Sequence, residues 1–149
     1  MIVLFVLLIS LLLYRAIGAL GVAALATWAG ATRYALATML VFTASAHFTK
    51  MNHDLARMMP DWILRPMALI YFTGVCEMAG AIGLLVPSVR QAAGLALVVF
   101  FVLVFPANVK AARTGVAVGG KRATPLWLRA SMQVLFITLT WWSALWSAG

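Results

Sequence analysis

Five polar side chains carry whatever chemistry this sequence has: His47, Glu77, Asn108, Arg129 and Gln133. Each lies in or beside a long apolar run, where an ionisable group is costly unless it is paired or hydrated. Glu77 is the central case. Stepping by three and four along a helix, its face reads Pro66, Ile70, Thr73, Gly74, Glu77, Gly80, Ala81, Leu84. Small residues let neighbouring helices approach closely, so this face points Glu77 into a bundle. Arg129, Gln133, Phe136, Ile137 and Thr140 share a second face, and Thr43 and His47 a third. Asn108 follows Phe105-Pro106-Ala107 at the end of another run. These spacings predict a cavity lined by all five side chains. His47, Asn108 and Arg129 should lie at one depth, with Gln133 and Glu77 deeper.

The competing expectation is architectural. Glu77 could pair with Arg129 or Arg15, Gln133 could bond a neighbouring helix, and Arg129 could snorkel to the membrane edge. No nucleophile–base pair or oxyanion device stands out, which leaves enzymatic activity open and no catalytic residue assigned. The stretch from His47 to Met59 is rich in His and Met, a combination that suits Cu(I). Its spacing matches no closed site, and no metal is expected. His47 and His53 are too close in sequence to face each other across a haem, so no haem is expected either. Cys76 is the single cysteine, which excludes an internal disulfide and a CxxC pair. It points away from the Glu77 face and reads as packing.

The elements that must position these residues are membrane helices. The chain has 149 residues, 65% of them hydrophobic and only 9% charged, with a mean hydropathy of +1.05. A soluble domain carries about 25% charged residues because its surface faces water. A bilayer core of ~30 Å needs about 20 helical residues, and lipid forces the backbone into helices. Four runs qualify: Tyr34 to Phe48 (beginning near Thr32), Pro66 to Val86, Gln91 to Pro106, and Leu126 to Ser147. No period-2 alternation suggests a barrel. Ile2 to about Leu25 reads as one further helix, with Arg15 paired or snorkelling. A partly interfacial segment is the alternative there. A signal peptide would place its positive charge before the apolar stretch, and no cleavage pattern is evident.

The formal charge is +8, but the eleven Lys and Arg mostly separate apolar runs. They read as topology signals and lipid contacts, and no nucleic-acid partner is expected. Lys50 and Arg57 lie between the first and second of the four core runs. Lys110, Arg113, Lys121 and Arg122 lie between the third and fourth. The positive-inside rule puts both connections in the cytoplasm and Arg90 opposite, with Arg33 opposite too if the N-terminal helix spans. Met59-Pro60, Arg65-Pro66, Pro87 and Pro125 mark ends or starts of helices, and Gly119-Gly120 marks a flexible turn.

At these residues the chain resembles the DoxX-like membrane protein family. The matching pieces are Ala46-His47-Phe48, Met59-Pro60-x-Trp62, and Thr73-Gly74-Val-Cys-Glu77-x-x-Gly80-x-x-Gly83-Leu84-Leu85-x-Pro87. Arg90, Phe105-Pro106-Ala107-Asn108, Arg129-x-x-x-Gln133 and Trp141-Trp142 follow. The resemblance implies an all-α integral membrane bundle of four core transmembrane helices over residues 31–149. Residues 1–30 then form an extra N-terminal transmembrane helix and connector. It also implies a bacterial-type inner-membrane protein associated with redox chemistry. His47, Glu77, Asn108, Arg129 and Gln133 would line a pocket for a quinone or another small lipophilic molecule. His47 would donate to a carbonyl and Glu77 would relay a proton. Members that act on thiols through paired cysteines have no counterpart here, because Cys76 is alone. The alternative is a non-enzymatic membrane subunit or assembly chaperone that packs against a partner protein. Transport fits less well, since so small a bundle would have to oligomerise to enclose a path.

Overall fold

A computed structural model describes residues 2–116, 120 and 124–148, the last as backbone only. All regular structure among them is helical. The helices are α1 (Ile2–Ala19), α2 (Trp28–His47), α3 (Asn52–Met58), α4 (Pro66–Leu85), α5 (Arg90–Thr114) and α6 (Leu126–Ala144), with short 3-10 turns at Ala23–Leu25 and Trp146–Ala148. Three of them, α1, α4 and α5, are long and apolar enough to cross a membrane. Helices α2 and α6 match them in length, at 20 and 19 residues. Thr, Ser and Trp side chains and one arginine each make these two less apolar.

Local chemistry explains most of the boundaries. Thr27 caps α2, its hydroxyl accepting from the Gly30 amide at 3.0 Å, so α2 begins at Trp28, about a turn before the expected start near Thr32. Pro66 opens α4 at the position where a missing N–H costs nothing. The first helix stops at Ala19, short of the expected Leu25. Gly21 takes a left-handed φ of 105°, and the 3-10 turn folds back on α1. A Cβ on Gly18 would lie 2.0 Å from the Leu25 carbonyl oxygen, so only glycine allows that approach.

Helix α5 runs two turns past Pro106 and ends at Gly115 in the left-handed region. Asn108, Lys110 and Arg113, expected in a connection, are therefore helical. Helix α3 also falls in an expected connection. Its Asp54 near the start and Arg57 near the end suit the helix dipole. The Gly119-Gly120 turn and the charges of Lys121 and Arg122 fall wholly or partly outside the described residues.

Close contacts at small residues set an antiparallel bundle. A Cβ on Gly74 would meet His47 Cβ at 2.7 Å, which joins the middle of α4 to the end of α2. Gly80 abuts Leu97 and Gly83 abuts Ala93, joining α4 to α5 in opposite directions. Gly94 abuts Ala144, which does the same for α5 and α6. Helix α1 packs along α2, with Leu7 fully buried and the Tyr14 and Thr38 hydroxyls 2.9 Å apart. The core is built largely from Ala35, Leu36, Leu40, Ala81, Leu84 and Leu97.

Much of the outer surface is apolar. Ile9, Leu12, Phe72, Leu103 and Val134 are all more than 60% exposed, which would be unfavourable in water. All six tryptophans lie near helix ends or in connections. Trp28, Trp141, Trp142 and Trp146 mark one end of the bundle, and Trp62 and Trp127 mark the other. Tryptophan at two levels, with bare aliphatic surface between, is the pattern of a protein bounded by two membrane interfaces.

Glycine packing gives a direct expectation. Gly94→Leu forces α5 and α6 apart and should cost about 1–3 kcal/mol, read as a lower thermal midpoint in detergent. Leu103→Ala, on the outer surface, should leave that midpoint nearly unchanged.

Candidate functional site

The carboxyl of Glu77, in the middle of α4, is met by α2. Thr43 Oγ1 lies 2.7 Å from Glu77 Oε2 and donates to it. The same hydroxyl is 3.0 Å from the Leu40 carbonyl of its own helix. It has one proton, and the carboxylate is the nearer acceptor. One turn along α2, His47 Nε2 lies 3.6 Å from Glu77 Oε1, with the two side chains 11% and 12% exposed.

The other edge of the imidazole is fixed by backbone. His47 Nδ1 is 2.7 Å from the Ile70 carbonyl oxygen. A carbonyl only accepts, so Nδ1 carries a proton. Thr73 supports the arrangement, donating to the same carbonyl at 2.9 Å and lying 3.2 Å from His47 Nδ1. Nε2 is therefore the nitrogen left to face Glu77. Gly74 makes room for this ring, because a Cβ there would strike both His47 and Phe48.

A second polar group joins α5 to α6. Arg129 Nη1 donates to Asn108 Oδ1 at 2.9 Å, and Asn108 Nδ2 donates to Gln133 Oε1 at 3.1 Å. Gln133 Nε2 donates to the Phe101 carbonyl. Arg129 Nε donates to the Thr124 carbonyl at 3.0 Å. The chain runs from the end of the bundle inward and terminates on α5 backbone.

The five expected residues thus form two sets, His47 with Glu77 and Asn108 with Arg129 and Gln133. Among the described residues no hydrogen bond or ion pair links the sets. The contact register of α4 on α5 puts Glu77 about level with Phe100. Gln133, bonded to the Phe101 carbonyl, lies within about a turn of that level. Among the described residues neither Glu77–Arg129 nor Glu77–Arg15 forms an ion pair. Arg15 instead sits 5.3 Å from the ring centroid of Trp28, a cation–π contact.

Several partners were invisible to the residue pattern. The carbonyls of Ile70, Phe101 and Thr124 are backbone atoms, and every residue has one. Thr43 and Thr73 were on the right faces, and their hydroxyls were the available signal. Outside the bundle, Lys110 Nζ donates to the Met59 carbonyl and to Asp61 Oδ1, which ties the segment before α4 to α5. No group of three or more His, Cys, Asp or Glu comes together among the described residues.

Comparison with known families gives a match. The model of a family described as a domain of unknown function (DUF8561) covers residues 36–144, and the chain belongs to that family. The match spans most of α2 and all of α3 to α6, and leaves out α1. No curated protein and no solved structure matches the chain.

The buried pair predicts non-additive energetics. Glu77→Leu and His47→Leu should each lower stability by about 1–3 kcal/mol, because each leaves a buried polar partner unsatisfied. The double variant should cost less than the sum. Additive losses in thermal unfolding would show that the two side chains do not interact.

Proposed function

We propose that this member of the DUF8561 family is a multi-pass, redox-associated membrane protein of the DoxX type that binds a quinone or a similar lipophilic carbonyl compound. The observation that carries the reading is the His47–Glu77 pair, held on one side by Thr43 and on the other by the Ile70 carbonyl. A net charge at that depth is costly, so the two facing atoms share one proton. The 3.6 Å separation is too long for a hydrogen bond, so a carbonyl oxygen arriving at Nε2 would not have to break one. His47 passes that proton from Nε2 to the oxygen, and Glu77 relays a replacement proton, taken up from solvent, back to Nε2. Electrons come from a redox partner protein.

In this reading all five long helices cross the bilayer. Helices α2, α4, α5 and α6 form the core, and α1 is added at the side of α2. The end that carries Lys50, Arg57, Arg65, Lys110 and Arg113 faces the cytoplasm, and the end with Arg33 and Arg90 faces outward. The spread of tryptophan over both ends supports five crossings.

A second reading is favoured by the Arg129–Asn108–Gln133 chain. Each of its side chains already has partners, so it serves as helix glue and offers a ligand little. A membrane subunit or assembly chaperone needs only that rigidity.

Protein purified in mild detergent should release a quinone into organic extract, detected by mass spectrometry. Glu77→Gln and His47→Ala should lose it while the protein stays monodisperse. An extract without a lipophilic carbonyl compound, together with lower recovery of a co-purifying partner in both variants, would favour the subunit reading.

A further inference from the structure

The outward end of the bundle holds a second, different site. A cavity of about 410 Å³ opens between the 3-10 turn, α2 and the α4–α5 connection. Its lining includes Ala23, Ala24, Arg33, Tyr34, Leu84 and Arg90. Two guanidiniums therefore border one space, close enough for Arg33 to feel the charge of Arg90. Each has only one described hydrogen bond. Arg33 Nη1 reaches the Ser143 carbonyl at 3.4 Å, and Arg90 Nε reaches the Leu84 carbonyl at 3.2 Å. A guanidinium has five N–H donors, so most of theirs are left over.

Among the described residues no carboxylate side chain is positioned to neutralise the pair. The chain has three acidic residues. Asp54 and Asp61 lie at the opposite end with α3, and Glu77 is bonded to Thr43 deep in the bundle. Like charges gathered at the edge of an apolar bundle, with no carboxylate side chain beside them, suit an anion from outside. Planar guanidiniums match the oxygens of phosphate and bind it with paired, charge-assisted hydrogen bonds. Ala23, Ala24, Leu84 and Leu85 give the same cavity an apolar wall. Exposed Trp28 and Trp146 at this end set it at headgroup level.

We propose that Arg33 and Arg90 form a phosphate-binding site at the outward end of the bundle, with an apolar wall suited to the chain of a phosphate ester. A phospholipid headgroup and free phosphate share this chemistry. The site does not depend on the quinone reading, since it uses none of the same residues.

The test uses the full chain in a neutral detergent and follows the thermal midpoint in two titrations, one with a short-chain phosphatidylglycerol and one with inorganic phosphate. Phosphorus NMR of the same samples reads binding directly, independent of folding. Phosphatidylglycerol should stabilise the protein and show a bound signal. Arg33→Gln and Arg90→Gln should each weaken apparent affinity about tenfold or more, as loss of charged hydrogen bonds implies. Arg113→Gln, at the other end, should not. An equal response to inorganic phosphate would assign the site to the free anion, and a response to the lipid alone would assign it to the headgroup. Binding unaffected by both Arg33→Gln and Arg90→Gln, or weakened equally by Arg113→Gln, or absent for both probes, would overturn the proposal.

Discussion

One carboxyl group in an apolar bundle constrains everything around it. Glu77 lies near the middle of a helix whose outer face, through Phe72, Val75 and Ile82, is bare aliphatic and aromatic surface. Leaving a carboxyl unsatisfied there costs more than any single packing contact can return. It must turn inward and find donors, and the neighbour that supplies them must come close. Gly74 on α4 makes that approach available, because a side chain there would occupy the space of His47. The α2–α4 contact, with Ala35, Leu36, Leu40, Ala81 and Leu84 in its core, is arranged around this requirement.

The same logic recurs wherever helices meet. Between apolar helices in an apolar solvent the hydrophobic effect gives no net attraction, so van der Waals contact and hydrogen bonds decide which faces pair. Gly80, Gly83 and Gly94 permit the contact. The Arg129–Asn108–Gln133 chain and the Tyr14–Thr38 bond supply the hydrogen bonds. Polar side chains that a soluble protein would spread over its surface are gathered here into interhelical bonds. The aliphatic residues that would fill a soluble core coat the outside.

Much of this was legible in the sequence. Three- and four-residue steps put Glu77 among small residues, put Thr43 and His47 on one face, and put Arg129 and Gln133 on another. Those placements follow from helix geometry alone. Boundaries read from hydropathy were less faithful, since hydropathy ignores hydrogen bonds. Thr27 extends α2 backward as a cap, Gly21 cuts α1 short, and α5 continues through Pro106 with helical residues beyond it. The convergence of all five polar residues on one chamber was an inference from helix faces and approximate depth. Depth does not fix azimuth, and the side chains found nearer partners, including three backbone carbonyls no pattern can reveal. Arg33 and Arg90 were read, with the other basic residues, as topology signals and lipid contacts; only the folded chain shows the two bordering a single cavity.

The central claim is that backbone locks the His47 ring, leaving Nε2 to face Glu77. Nitrogen-15 NMR of histidine-labelled protein in lipid nanodiscs, with His53→Gln to leave a single imidazole, measures this directly. Nδ1 should appear protonated and hydrogen-bonded, in slow exchange with water, and the Nε2 signal should shift on Glu77→Gln. An imidazole that averages between both tautomers, with neither nitrogen responding to Glu77→Gln, would contradict the account.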